Sequence, residues 1–109
     1  MIRVKFFYEE GDVVEVTVKG HAGYAPRGKD DIVCSAVSGV VFTALLGLTK
    51  FSTSKVETKQ DEETGYLNFK VPKPKSEEER LRQQTILETM LLGLRDIEGG
   101  YKAYLKTEV

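Results

Sequence analysis

The 109-residue chain contains one histidine and one cysteine, and both fall in the same stretch. His21 lies in Gly20-His21-Ala22-Gly23-Tyr24-Ala25-Pro26-Arg27-Gly28-Lys29-Asp30-Asp31, and Ile32-Val33-Cys34 follows directly. A thiolate is a competent nucleophile, and an imidazole beside it takes its proton or forms an ion pair with it. The thirteen residues from His21 to Cys34 allow a loop to fold back over a helix start and bring the two together. If Asp31 caps that helix, Cys34 sits in its first turn, where unpaired backbone N–H groups and the helix dipole favour a negative sulfur. The opposing reading is ordinary: a lone cysteine is a small buried hydrophobe, and a lone loop histidine is a surface residue. From the residues alone, both readings stand.

Other chemistries fit less well. One cysteine and one histidine exclude a four-thiolate or multi-histidine metal site within one subunit, and an intramolecular disulfide. Asp30, Asp31, His21 and Cys34 lack an established ligand spacing, and helix capping accounts for the aspartates, so neither a metal nor a cofactor is expected. Gly20, Gly23 and Gly28 do not make a dinucleotide fingerprint. Arg27 and Lys29 read as solvated loop cations. Ser38 lies one helical turn beyond Cys34 on the same face, placed to hydrogen-bond near the thiol or back to its own helix. A net charge of −1, from 16 basic and 17 acidic residues, removes the electrostatic case for a nucleic-acid binder.

The elements that must position these residues follow from periodicity. Ile2, Val4, Phe6 and Tyr8 alternate as a half-buried strand, and Glu9-Glu10-Gly11-Asp12 is a turn. Val14, Val16 and Val18 then complete a hairpin. Asp30 or Asp31 caps the uncharged run Ile32 to Thr49. That run approaches the length of a membrane span, but Ser35, Ser38, Gly39, Thr43 and Gly47 dilute it, and a core helix buried on most sides is expected. Met1 to Tyr8 lacks the apolar region of a secretory signal, so a cytoplasmic protein with a reduced thiol is expected. An edge strand around Val56 and Thr58, a turn at Asp61 to Gly65, and a strand from Tyr66 to Val71 come next, stopped by Pro72 and Pro74. Ser76 and Glu79 form a capping box, Glu77 to Glu79 and Arg80 read as cap and solvated face, and Leu87, Met90, Leu91 and Leu94 supply the second helix's stripe. Gly99-Gly100 ends that helix, and Tyr101 to Lys106 is read as a last strand. The expected fold is α+β in ββαββαβ order, a largely antiparallel sheet packed with two helices, as a single domain over residues 1–109.

The run Gly20-His21-Ala22-Gly23-Tyr24-Ala25, then Gly28, then Asp31-Ile32-Val33-Cys34-Ser35-Ala36-Val37-Ser38 closely resembles the signature of the ribosomal-processing cysteine protease family, Prp, formerly the YsxB-like proteins. The resemblance extends over the whole chain. Asp30-Asp31 stand where one aspartate is usual, lengthening the loop by one residue, and Ser35 replaces the alanine that commonly follows the cysteine. The resemblance implies a cysteine endopeptidase that removes a short N-terminal extension from large-subunit ribosomal protein twenty-seven, just after paired aromatic residues. It implies Cys34 as nucleophile and His21 as general base, with Asp31 supporting the helix start and Ser38 as the family's helix serine. Gly20, Gly23, Tyr24 and Gly28 would form a substrate loop that orders over the peptide. An acyl-enzyme on Cys34 is expected, with oxyanion donors from backbone N–H groups near the helix start. An apolar groove would hold the aromatics, with pairing along a sheet edge as a supplement. The resemblance also implies a homodimer built on the apolar helices; neither a membrane nor direct nucleic-acid contact is expected. The rival readings are a non-enzymatic ribosome-associated binding protein, a small-thioester thiol hydrolase, and a structural dimer whose cysteine alkylates slowly.

Overall fold

The computed structural model describes residues 1–26 and 30–109. The chain follows the expected order: β1 (Ile2–Glu9), β2 (Asp12–Lys19), α1 (Ile32–Phe51), β3 (Glu57–Asp61), β4 (Tyr66–Lys70), α2 (Glu77–Gly100) and β5 (Leu105–Glu108). One five-stranded sheet results, in the order β3-β4-β2-β1-β5. The β1–β2, β2–β4 and β3–β4 pairs are antiparallel, and β5 joins β1 in parallel.

Period-two alternation sends Ile2, Val4 and Phe6 of β1 into the core and leaves Arg3 and Lys5 outside. Their cross-strand partners Val18 and Val16, and beyond those Leu67 and Phe69 of β4, continue the same face. The alternation read for β2 slips at its start. A bulge between Phe7 and Tyr8 puts Val13 opposite Tyr8, so Val13 is buried and Val14 only half-buried. One extra residue inverts side-chain parity beyond it, and no local pattern announces where that happens. Gln84 of α2 then serves the displaced backbone: its Oε1 accepts from the Val13 N–H at 2.8 Å and its Nε2 donates to the Val13 carbonyl at 3.0 Å.

Val33, Val37, Val41, Ala44 and Leu48 form the buried stripe of α1, and Leu87, Met90 and Leu94 that of α2. The two helices close on small residues. The Ile86 side chain lies over Gly47 and that of Val40 over Gly93, each 3.4 Å from where a Cβ would stand. The expectation that α1 is buried on most sides is corrected: Ile32, Phe42, Leu46 and Phe51 are exposed, Leu46 at 73%. By length and composition α1 passes for a membrane-crossing helix, with 28% of its apolar stretch buried. The sheet and α2 together cover one stripe, which makes α1 the core helix of this fold and leaves its far side bare.

Three further readings change. Ser76 accepts the Glu79 N–H at 3.1 Å, but Glu79 does not return the bond to Ser76, so only half the capping box forms. Buried Glu79 instead accepts from the Thr53 N–H at 2.9 Å, from the Thr53 hydroxyl and from the Lys75 N–H at 2.9 Å, tying the α1–β3 connection to the start of α2. The Thr53 hydroxyl above all, with both amides, holds its carboxyl below the usual range against the opposing effect of burial. Arg80, read as solvated, donates to Asp12 at 2.8 Å and to Glu77. The last strand begins at Leu105 rather than Tyr101. Residues 99 and 100 remain helical, and Tyr101 to Tyr104 turn, with the Tyr104 N–H on the Tyr101 carbonyl at 2.9 Å.

Candidate active site

Asp31, not Asp30, caps α1, and one carboxylate does two jobs. Its Oδ1 accepts from the Val33 and Cys34 N–H groups at 3.0 Å each, starting the helix. Its Oδ2 accepts from the Tyr24 N–H at 3.1 Å and the Ala25 N–H at 3.3 Å, drawing the incoming loop onto the helix start. Burial by itself would raise this carboxyl; the four amide bonds outweigh it and hold Asp31 below its ordinary value.

Fixing the loop at Tyr24 and Ala25 brings its beginning over the sulfur. The Ala22 N–H donates to Cys34 Sγ at 3.3 Å, and Ala22 itself is buried. A donor aimed at sulfur is accepted more strongly by a thiolate than by a thiol. At the helix start the Val33 and Cys34 N–H groups bond Asp31 Oδ1, and the Ser35 N–H bonds the Asp31 carbonyl at 3.0 Å. The amide that donates to the sulfur is Ala22's, from the loop.

His21 and Cys34 line one groove of about 280 Å³. The ring is exposed and the thiol half-buried. No hydrogen bond joins them; His21 Nε2 is engaged by the Glu63 carbonyl at 3.0 Å and Cys34 Sγ by Ala22. Val37, Val41 and Phe42 of α1 and Leu67 of β4 give the groove apolar walls, and Gln60, Asp61 and Glu62 close its β3 side. Ser38 also lines it, as its helical spacing from Cys34 dictates, but its hydroxyl makes no hydrogen bond to the Cys34 sulfur, whose partner is the Ala22 N–H.

Gly20 lines the groove at φ +90°, and a Cβ there would stand 2.7 Å from the Met1 carbonyl oxygen, so only glycine fits. Gly23 also has positive φ, at +72°, with open space around it. Tyr24 does not line the groove. Its ring stands edge-on against Tyr101 at 5.7 Å and Tyr104 at 5.2 Å, anchoring the loop to the segment after α2. Gly28 lies outside the described residues. Among the described residues no cluster of three or more His, Cys, Asp or Glu is placed to hold a metal. Sequence reading missed Ala22, the Tyr101–Tyr104 anchor and the approach of the β3–β4 turn to His21. The turn itself was marked by Asp61 to Gly65, but nothing local says which loop it meets.

A sulfur at a helix start, half-open to a groove that an imidazole also lines, is the arrangement of a cysteine hydrolase. Comparison with known proteins narrows this class. The model of the family described as cysteine protease Prp matches residues 1–106, and the chain belongs to that family of cysteine proteases. The ribosomal processing cysteine protease Prp of Bacillus subtilis is 31% identical over 94 residues, covering 86% of this chain and 83% of its own length. Its counterpart of the same name in Staphylococcus aureus is 29% identical over 98 residues, covering 90% and 88%. A crystal structure of the essential ribosomal processing protease Prp from S. aureus, in complex with a covalently linked product peptide, superposes with a TM-score of 0.83 at 27% identity. That match covers 99% of this chain and 98% of the other.

Proposed function

We propose that this protein is an endopeptidase that removes the N-terminal extension of large-subunit ribosomal protein twenty-seven through a Cys34–His21 dyad. The observation that carries the reading is the convergence of the only thiol and the only imidazole on one apolar-walled groove, in a chain whose relatives are ribosomal processing proteases. Catalytic hydrogen bonds are often long in an empty site and tighten when substrate binds, so seating a peptide draws the His21 ring onto the sulfur.

The chemistry then proceeds in two halves. His21 takes the Cys34 proton, Sγ attacks the scissile carbonyl carbon, and the Ala22 N–H stands beside the sulfur to meet the developing oxyanion. The C–N bond breaks as the imidazolium returns its proton to the leaving amine, leaving a thioester on Cys34. Water, deprotonated by His21, hydrolyses the thioester and restores the thiol. Val37, Val41, Phe42 and Leu67 offer the aromatic pair before the cut an apolar seat. The exposed edge strand β3, paired on one side only with β4, offers the peptide backbone a row of partners beginning at Gln60.

The bare apolar side chains Leu46 of α1 and Leu81 and Leu92 of α2 support a homodimer. Sedimentation equilibrium is expected to give twice the 12.2 kDa chain mass, and Leu46→Glu to shift it toward the monomer; a monomer throughout overturns the dimer alone. The reaction needs a reduced thiol, in keeping with a cytoplasmic setting, and calls on no metal, cofactor, membrane or nucleic acid. Mass spectrometry of N-terminally extended ribosomal protein twenty-seven after incubation with the protein tests the substrate. Cleavage after the aromatic pair is expected. An intact substrate, with a folded and reduced protein, rejects it and turns attention to small thioesters.

A further inference from the structure

The ring of His21 is held from behind by the turn between β3 and β4, forty-two residues away in sequence. Nε2 lies 3.0 Å from the main-chain carbonyl oxygen of Glu63. A carbonyl can only accept, so Nε2 carries the proton, and the neutral ring keeps its lone pair on Nδ1. The turn is locked to the ring's own backbone: the Gly20 N–H donates to the Gly65 carbonyl at 3.0 Å. Gly65 has φ +68°, and a Cβ on it would collide with the Gly20 carbonyl oxygen and stand 3.1 Å from His21 Cε1. Residue 65 must therefore be glycine both for its backbone conformation and for the space that His21 occupies. Within the turn, the Glu63 N–H donates to Asp61 Oδ1 at 3.1 Å and the Gly65 N–H to the Glu62 carbonyl at 3.3 Å, which braces the carbonyl that faces the ring.

We infer that the Glu63 main-chain carbonyl is the third member of the catalytic set, a positioning group that fixes His21 as the Nε2–H tautomer and leaves Nδ1 to take the proton from Cys34, with Gly65 the residue that admits this contact. The inference rests on the reading of His21 as general base. A nucleophile, a base and a group that orients the base is the recurrent logic of such sites. A main-chain carbonyl supplies the orientation with a dipole rather than a charge. When the ring takes the thiol proton, the bond to Glu63 becomes charge-assisted and strengthens at the moment the imidazolium forms.

Because His21 is the only histidine, a two-bond ¹H–¹⁵N correlation spectrum of the labelled protein, recorded where the ring is neutral, reports this tautomer without assignment. A single Nε2–H pattern, with scalar coupling across the hydrogen bond to the Glu63 carbonyl carbon, is expected. An Nδ1–H pattern, or the mixture of a free imidazole, overturns the inference. Gly65→Ala is expected to release the ring into that mixture and to lower kcat about tenfold or more with KM nearly unchanged, since it displaces a reacting group and not the peptide seat. A folded Gly65→Ala protein with wild-type kcat and a single tautomer also overturns it; should the variant not fold, the spectrum of the unsubstituted protein decides. An inactive His21→Ala together with an Nδ1–H ring removes this inference and leaves the base reading standing. Full turnover by His21→Ala removes both.

Discussion

Cys34→Ser is expected to bring peptide cleavage down by at least about 10⁴-fold, and His21→Ala by about 10²–10⁴-fold. Serine keeps the size of the side chain but replaces a readily ionised sulfur with a hydroxyl that a single exposed imidazole activates poorly. Loss of the ring leaves the thiol to find water as its base. The double variant should fall little below Cys34→Ser, because two groups acting on one proton are not additive. Neither change threatens the fold. Cys34 is half-buried and packs only at the margin of the core, and His21 is exposed. Circular dichroism should therefore overlay the wild type while progress curves on an extended ribosomal protein twenty-seven peptide go flat. Cys34→Ser turning over at a tenth of the wild-type rate would mean that another group attacks. A His21→Ala protein, its Cys34 thiol intact, that alkylates at the wild-type rate would mean that the ring does not act on the sulfur.

The second large effect belongs to Asp31, since four amides depend on one carboxylate. Asp31→Ala should cost about 1–2 kcal/mol of stability as a lost helix cap, read as a drop of several degrees in Tm. Activity should suffer more, about 10²-fold in kcat/KM, because the loop that carries His21 and the Ala22 N–H loses its tie to the helix bearing Cys34. Asp31→Asn separates the two jobs. The amide oxygen still caps the Val33 and Cys34 N–H groups, but the nitrogen that replaces Oδ2 donates and cannot accept from Tyr24 and Ala25. That variant should keep most of the stability and lose most of the positioning. Asp31 is held below its ordinary value in the folded protein, so its contribution is fully present above the unfolded carboxylate range. It disappears as the pH falls through the lowered folded value. Urea unfolding of wild type and Asp31→Ala should accordingly converge on acidification. A stability gap that persists unchanged into strong acid would show that the carboxylate charge is not what the amides hold.

How much of this was legible in the chain divides along one physical line. The strands of the hairpin, the turn at Asp61 to Gly65, the caps at Asp31 and Ser76 and the meeting of a histidine loop with a cysteine helix are all encoded within a few residues, because period, capping and turn chemistry are local. Local signals also carried errors. The parity of β2 predicted Val14 in the core, and a bulge set by pairing with β1 put Val13 there. The uncharged run predicted a helix buried on most sides, whereas how much of α1 is covered depends on how much sheet and second helix one chain can bring to it. Glu79 and Arg80 look like a helix end and a solvated face until Thr53 and Asp12 arrive from elsewhere.

By itself, then, the sequence determined that one thiol would stand at a helix start with one imidazole on the loop before it. Tertiary structure alone decided which amide faces the sulfur, where Tyr24 anchors the loop, and which carbonyl holds the ring. Those three contacts join groups 12, 77 or 80, and 42 positions apart, and geometry over such separations is set by how sheet, helices and loops pack against one another, not by any pattern a single segment can carry.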